Sequence, residues 1–195
     1  NKATVCQMNK SDVLKCYEAG DFFKNAELVG IDLSHIRLAK ADFSEANLQF
    51  SEFNDTDLSE SNFNYADLSN ADLSGAILRN AFLVGANLTN ANLEQTDLRG
   101  AFLGGSTLCS TNFRDADLKD AIIGSPNWIV PDAFSPYTDF EGANLEGTTF
   151  GETTPKVVSM LGAKFTSAYL YEVNFSESVY YPQQLEEAIT NKIVQ

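Results

Sequence analysis

The sequence predicts an all-β solenoid, a four-sided parallel β-helix of about seven coils, and three observations predict it. From Phe23 to Ile123 every fifth residue is Leu, Phe or Ile, twenty-one times without a miss. Two positions before each of these stands Ala, Ser or Thr in eighteen of the twenty-one cases, with Asp21, Ile31 and Ile36 the exceptions. The residue between the two is Asp or Asn twelve times, as in Ala66-Asp67-Leu68-Ser69-Asn70-Ala71-Asp72-Leu73.

A period of five is not a helical stripe, because five steps of ~100° carry each Leu ~140° away from the last. A flat strand fails as well, since an odd period would place successive Leu residues on alternate faces. The pattern works if three residues run extended, with the small residue and the Leu or Phe both pointing inward, and two residues make a corner. Gly, Asn, Asp and Ser crowd that corner (Asn70, Gly75, Asn80, Gly85, Asn90, Gly100, Gly105), as turn chemistry requires. Residues twenty apart resemble one another, which gives four corners per circuit. Phe23, Phe43 and Phe63 should then stack, as should Phe82 with Phe102 and Arg79 with Arg99 and Lys119.

Runs such as Ala-Asp-Leu-Ser-Asn and Ala-Asn-Leu-Thr-Asn resemble the pentapeptide-repeat proteins, and the resemblance covers roughly residues 21–123, 138–150 and 163–180. It implies a right-handed quadrilateral parallel β-helix. It implies little about function, because the family is diverse and mostly uncharacterised.

The elements follow in order. Residues 1–20 do not obey the repeat and form an N-terminal capping segment. Ser11 reads as the N-cap of a short helix that Gly20 stops, laying Val13, Leu14 and Tyr17 over the open end of the first coil. Cys6 and Cys16 flank this cap. On one continuous helix they would be ~15 Å apart, too far to bridge. With the helix starting at Ser11 a disulfide becomes feasible, two reduced half-buried thiols being the alternative. Cys109 falls at an outward corner as a surface thiol.

Residues 21–123 are an uninterrupted β-helix of just over five coils. Leu or Phe backed by Ala fills a narrow tube without ligand space. Outside, four-fold stacking puts Phe82, Phe102 and Ile122 in one column, at the position where Asp or Asn normally stands. Val84, Gly85, Gly104 and Gly105 lie on the same side, so that face is apolar and smooth, suited to a protein partner or to cover by the chain's own insertion. Arg79, Arg99 and Lys119, beside Asp97 and Asp117, read as a solvated charge ladder.

Residues 124–137 break the period with three prolines and shift its phase. They form an inserted loop carrying Trp128, Ile129, Val130 and Phe134. The repeat continues over 138–180, interrupted by a second insertion at 151–162, where Thr154, Pro155 and Gly162 suggest one or two helical turns. In all, nearly seven coils at ~4.8 Å each make a rod ~32 Å long. Residues 181–195 read as an amphipathic C-terminal capping helix through Leu185, Ala188, Ile189 and Ile193, with dimerisation at this end as an alternative role.

At 195 residues the chain fits one domain. Twenty-seven acids against thirteen bases give a formal charge of −14, which argues against direct nucleic-acid binding. Much of that acidity is corner chemistry, since a short acceptor before the Leu bonds neighbouring backbone N–H groups and Asn serves equally well. No run of ~18 apolar residues exists to span a membrane, and no secretory or transit peptide is visible. The chain opens Asn1-Lys2-Ala3 without an initiator Met, which fits processing or trimming and leaves a removed targeting segment open.

With a single His, His35, at an outward corner, no His-based metal centre or Ser–His–Asp triad can be assembled from the sequence, and no phosphate loop of the GxxxxGK[ST] type is present. The expectation is a chain with no catalytic residues, no cofactor and no metal. Two functional readings stand. One is a non-catalytic protein–protein interaction scaffold that binds an unknown protein through Phe82, Phe102 and Ile122 with Trp128, Ile129 and Phe134. The alternative, which the family resemblance implies, is a DNA-mimicking protein that binds and protects a type II topoisomerase (gyrase). Tandem Ala-(Asp/Asn)-Leu runs are similar to members from cyanobacteria and the thylakoid lumen. This favours an oxygenic phototroph and a lumenal or periplasmic location, with the cytoplasm as the alternative.

Overall fold

The computed structural model describes residues 8–20, 22–124, 138–150, 158–159, 164–168, 170, 173, 178–179 and 188. Backbone hydrogen-bond accounting explains why five residues make one side of the coil. In the pentad Ala66–Asn70, Asp67 N–H donates to Ala46 of the preceding coil (2.9 Å). Leu68 and Asn70 donate to Asn87 and Thr89 of the next coil (2.8 and 2.9 Å). Ala66 closes the preceding turn onto Phe63 O (3.0 Å). The fifth donor, Ser69 N–H, has no backbone acceptor and bonds Asp67 Oδ1 at 3.0 Å. The pentad thus pairs all five of its amides, but only with one side chain's help.

The corner demands a left-handed residue. From Asn25 to Asp120 every fifth residue has positive φ, and fifteen of those twenty are not glycine. With the bond from the fourth residue back to the first, this is the type II turn signature. Each non-glycine there costs ~1–2 kcal/mol, which the inter-coil hydrogen bonds and the buried Leu or Phe of the same pentad offset.

Successive coils pair residue by residue at an interval of twenty, from Glu27↔Asn47 through Phe102↔Ile122. The circuit is therefore four-sided and parallel. Inside, all twenty-one repeat Leu, Phe and Ile side chains between Phe23 and Ile123 are at most 5 % exposed. Phe23, Phe43 and Phe63 stack in one column with ring centroids 5.0 and 5.1 Å apart. Phe113, Phe140 and Phe165 do so in another at 4.9 and 5.3 Å.

That second column crosses both insertions, and the register shows how. Asn112↔Asp139, Asp117↔Asn144 and Ile122↔Thr149 are all separated by 27 residues, so the first insertion adds seven. Seven is not a multiple of five, which is why the phase of the repeat shifts. Asp139↔Lys164 is separated by 25, so the second insertion adds one pentad and the phase survives.

Two sequence expectations need correction. Val158 and Ser159, expected within a helical turn, form a short strand β1 (Val158–Ser159) that pairs in parallel with β2 (Ser178–Val179) at the ordinary interval of twenty. Ser159 stands five residues before Lys164, so regular spacing has returned there, and inter-coil pairing overrides the local Thr-Pro…Gly signal. The N-terminal helix α1 spans Lys10–Ala19 and is capped by Asn9, not by Ser11. Asn9 and Asp12 form a reciprocal capping box, and Gly20 ends the helix in the left-handed conformation. The Asn9–Asp12 pair satisfies two amide donors, more than Ser11 alone would.

Helix α1 lies over the first coils. Val13 is fully buried in the core, Tyr17 donates its hydroxyl to Ala39 O (2.8 Å), and Lys10 reaches Ser34 O (3.0 Å) and Asp32 (2.9 Å). Among the described residues no helix is long and apolar enough to cross a membrane. Of the expected C-terminal helix only Ala188 is described; it lies at a bend, half-buried against the core.

Candidate functional site

With the four sides of a coil counted from those holding Asp67, Asp72, Ile77 and Phe82 in turn, the fourth carries the candidate contact face. Phe82 pairs with Phe102 and Phe102 with Ile122, one per rung, so the three side chains share one outward column. The Phe82 and Phe102 rings stack at 5.1 Å with planes 6° apart, and Phe82 is 41 % exposed. Phe102 and Ile122 are half-buried, and Gly104 and Gly124 beside them are buried. Trp128, Ile129 and Phe134 lie outside the described residues, as does Cys6. The Cys16 thiol is free and half-buried, packed against the core.

This column occupies the position that elsewhere supplies the corner acceptor. All twelve Asp and Asn residues at that position in the uninterrupted run, and Asp139 and Asn144 beyond it, bond the amide two residues on. Phe82 has no such group, and the Val84 amide instead bonds Asn64 Oδ1 of the preceding coil at 2.9 Å. At the third rung the Gly124 amide reaches Thr149 O at 3.2 Å. The face has been relieved of its structural duty.

One residue bordering the face, Tyr65, was not singled out by the sequence. The Tyr65 ring lies against Gly85 one coil on, where a Cβ would sit 2.6 Å from Tyr65 Cδ1 and Cε1. Any side chain at Gly85 would displace the ring, and φ is +67° there as well. The interval of twenty between an aromatic and a glycine was the available signal. Tyr65 is 52 % exposed, so it extends the aromatic surface across the corner.

On the opposite edge of the same face stand Arg79, Arg99 and Lys119, each three residues before a member of the apolar column. They line a groove of about 520 Å³ with Asn80, Gly100 and Asp120. Arg79 Nε reaches Asp97 Oδ2 at 2.5 Å, Arg99 Nη2 the same oxygen at 2.7 Å, and Lys119 Nζ reaches Glu146 at 3.1 Å. Burial works against ionisation of Asp97, but its hydrogen bonds to Arg99 and Arg79 outweigh that and hold its carboxyl below the usual range. The expected charge ladder is present.

The family model for pentapeptide repeats matches in eight copies over residues 26–64, 66–105, 86–123 and 138–179. Among solved structures, the chain is similar to HetL, a pentapeptide repeat protein involved in heterocyst differentiation regulation from the cyanobacterium Nostoc sp. strain PCC 7120. The two are 26 % identical over 95 % of this chain and 98 % of that one, with a TM-score of 0.45. A pentapeptide repeat protein from the Arabidopsis thaliana thylakoid lumen is 26 % identical over 68 % and 67 %, with a TM-score of 0.35. QnrB1, a plasmid-mediated fluoroquinolone resistance protein, is 15 % identical over 83 % and 86 %, with a TM-score of 0.47. No curated protein matches the chain at a significant level. With a matching family model over most of its length, the chain belongs to the pentapeptide-repeat family, whose members fold as right-handed quadrilateral β-helices.

Proposed function

We propose that this chain is a non-catalytic scaffold, a rigid β-helical rod that binds a protein partner through the Phe82–Phe102–Ile122 face. Trp128, Ile129 and Phe134 of the first insertion add to the contact. The observation that carries the reading is the loss of the corner acceptor on three consecutive rungs of one side. Elsewhere Asp and Asn side chains at that position bond their own turns, whereas the side chains of Phe82, Phe102 and Ile122 offer the coil no acceptor and leave apolar area in water. The family's general lack of catalysis agrees with this. No cofactor is invoked. A lumenal or periplasmic location and pairing through the C-terminal end belong to the same proposal.

Phe102→Asp restores a repeat-like acid and should leave the fold intact while abolishing the partner contact. Pull-down from native extract of an oxygenic phototroph, followed by mass spectrometry, tests it. A mutant that retains every protein the wild type captures refutes the assignment of the face.

DNA mimicry toward a type II topoisomerase is the second reading, favoured by the acidity. Charge density ranks it lower. Residues 22–124 hold fifteen acids and seven bases over five coils, a net −8. At ~4.8 Å per coil that is one net charge per ~3 Å of rod, about half the charge density of duplex DNA, which carries one per ~1.7 Å. A gyrase supercoiling assay decides: inhibition or protection at micromolar protein would favour mimicry over the scaffold.

A further inference from the structure

The contact face has dimensions and a charge pattern that select a class of partner. Its width is one rung of three extended residues, ~10 Å, and its length is set by rungs whose rings repeat at 5.1 Å. An α-helix is ~10 Å across and returns to the same side every 5.4 Å. A helix laid along the rod axis would therefore stay within ~1 Å of register across three rungs. An extended strand in that direction presents same-side residues every ~6.7 Å and loses register by the second rung.

The flanking edge supplies the second constraint. On a chain of net charge −14, Arg79, Arg99 and Lys119 stack beside the apolar column. Asp97 and Asp117, which steady the two arginines, belong to the adjacent side of the coil. Arg79 uses only Nε on Asp97, and Arg99 uses Nε and Nη2. Both Arg79 Nη nitrogens and Arg99 Nη1 have no acceptor among the described residues. Gly100, where a Cβ would clash with Asn80 Oδ1, lines the groove between the two arginines together with that Asn80 side chain. Asp120 lines its far end, so Arg79 and Arg99 carry the attraction rather than Lys119.

We propose that the face docks an acidic amphipathic helix of the partner protein, lying along the rod axis. Its apolar stripe packs on Phe82, Phe102 and Ile122, and carboxylates on one flank pair with Arg79 and Arg99. This rests on the reading of the face as the contact surface.

Fluorescence anisotropy with the full chain tests it. The probe is a labelled peptide of about eighteen residues, with Leu at i, i+3, i+7 and i+10 and Glu along one flank. A second peptide carries Lys in place of Glu, and a third carries a central Pro. The Glu peptide should bind, more weakly as salt rises, and at least tenfold more weakly to Arg79→Glu/Arg99→Glu. The Lys peptide should regain binding to that double variant. Thermal melts confirm that each variant is folded, and Phe102→Asp serves as a second probe should the double variant unfold. Equal binding of the Glu and Lys peptides overturns the acidic flank, and equal binding of the Pro peptide overturns the helix. No binding by any peptide overturns the inference. The face reading itself falls only if Phe102→Asp changes neither peptide binding nor the extract pull-down.

Discussion

Two sides of this rod share one backbone and one interior yet do different things with the same position. On the second side, Asp72, Asn92 and Asn112 stand one above another. Each accepts from the backbone amide two residues on, and the side-chain Nδ2 groups of Asn92 and Asn112 donate to Asp72 Oδ1 (3.1 Å) and Asn92 Oδ1 (2.9 Å) in the coil before. On the fourth side the equivalent stack is Phe82, Phe102 and Ile122, with no such bonds. The pairing interval is twenty on both, and the inward Leu residues are fully buried on both. The coil thus tolerates loss of the Asx acceptor, and at Val84 a neighbouring coil's Asn64 lends an oxygen in its place. What the fold tolerates but does not require is the place to look for function.

The equality of the interiors is the first thing to break. Leu93→Ala on the second side and Leu103→Ala on the fourth should each cost about 3 kcal/mol, since each deletes a fully exposure-free side chain from a stacked tube. Urea denaturation checks this, and a difference above about 1 kcal/mol would mean the two sides are not packed alike. The difference between the exteriors comes next. Asn92→Ala removes the acceptor for Glu94 N–H and two inter-coil side-chain bonds, so it should cost about 1–2 kcal/mol. Phe102→Asn installs the repeat's own residue and should shift stability by less than about 1 kcal/mol. If it destabilises as much as Leu103→Ala, the aromatic column is holding the coil and not a partner.

How much of this was legible beforehand follows from where each signal lives. The interval of five and the resemblance at twenty are properties of the backbone circuit, so the Phe82 column, the Arg79 ladder and the Phe23–Phe43–Phe63 stack could be placed from sequence alone. The corner role of Asp and Asn was legible too, because an Asx acceptor acts within two residues. Contacts between coils that depend on a rotamer were not. Asn64 supplying Val84, and Tyr65 lying over Gly85, need a side chain to reach across twenty residues in one orientation. Local signals also misled where a longer-range demand won. Thr154, Pro155 and Gly162 read as a helical turn, yet Val158–Ser159 pairs with Ser178–Val179. Ser11 is a good cap in isolation, yet Asn9 with Asp12 is a better one.

Acid should separate the two exteriors further. At Asp67 and Asp72 partial burial raises the carboxyl pKa, but side-chain and backbone hydrogen bonds outweigh it and the net value falls below the ordinary one. A depressed folded-state value adds stability that is present above the unfolded carboxylate pKa of ~3.9 and is lost as pH falls through the folded value. Asp72→Asn keeps the acceptor and drops the titration, so below about pH 4 its stability should decline less steeply than the wild type's. Phe102→Asn changes no titrating group, and its acid limb should run parallel to wild type in urea titrations at stepped pH. A Phe102→Asn limb that flattens like that of Asp72→Asn would show that acid sensitivity does not reside in the Asx carboxyls.

The smallest effect concerns a hydroxyl at the boundary between the sides. Ser106 Oγ is buried and has no partner among the described residues, whereas the other buried small-position hydroxyls in this tube do: Thr96 Oγ1 donates to Leu93 O at 2.7 Å and Thr111 Oγ1 to Leu88 O at 2.9 Å. Ser106 sits at the head of a column whose earlier members, Ala26, Ala46, Ala66 and Ala86, are all alanine. Its hydroxyl therefore lost water without gaining an acceptor, at a cost on the order of 1 kcal/mol. Ser106→Ala should raise stability by up to that amount, and Thr96→Ala should lower it by a similar amount. The composition of the two positions is nearly the same, so opposite signs would show that acceptor geometry, and not residue type, decides which small side chain the tube prefers. A Ser106→Ala protein that unfolds at lower urea than wild type would mean that the hydroxyl finds an acceptor in solution, and the neighbouring face would then be held by a bond now missing from its account.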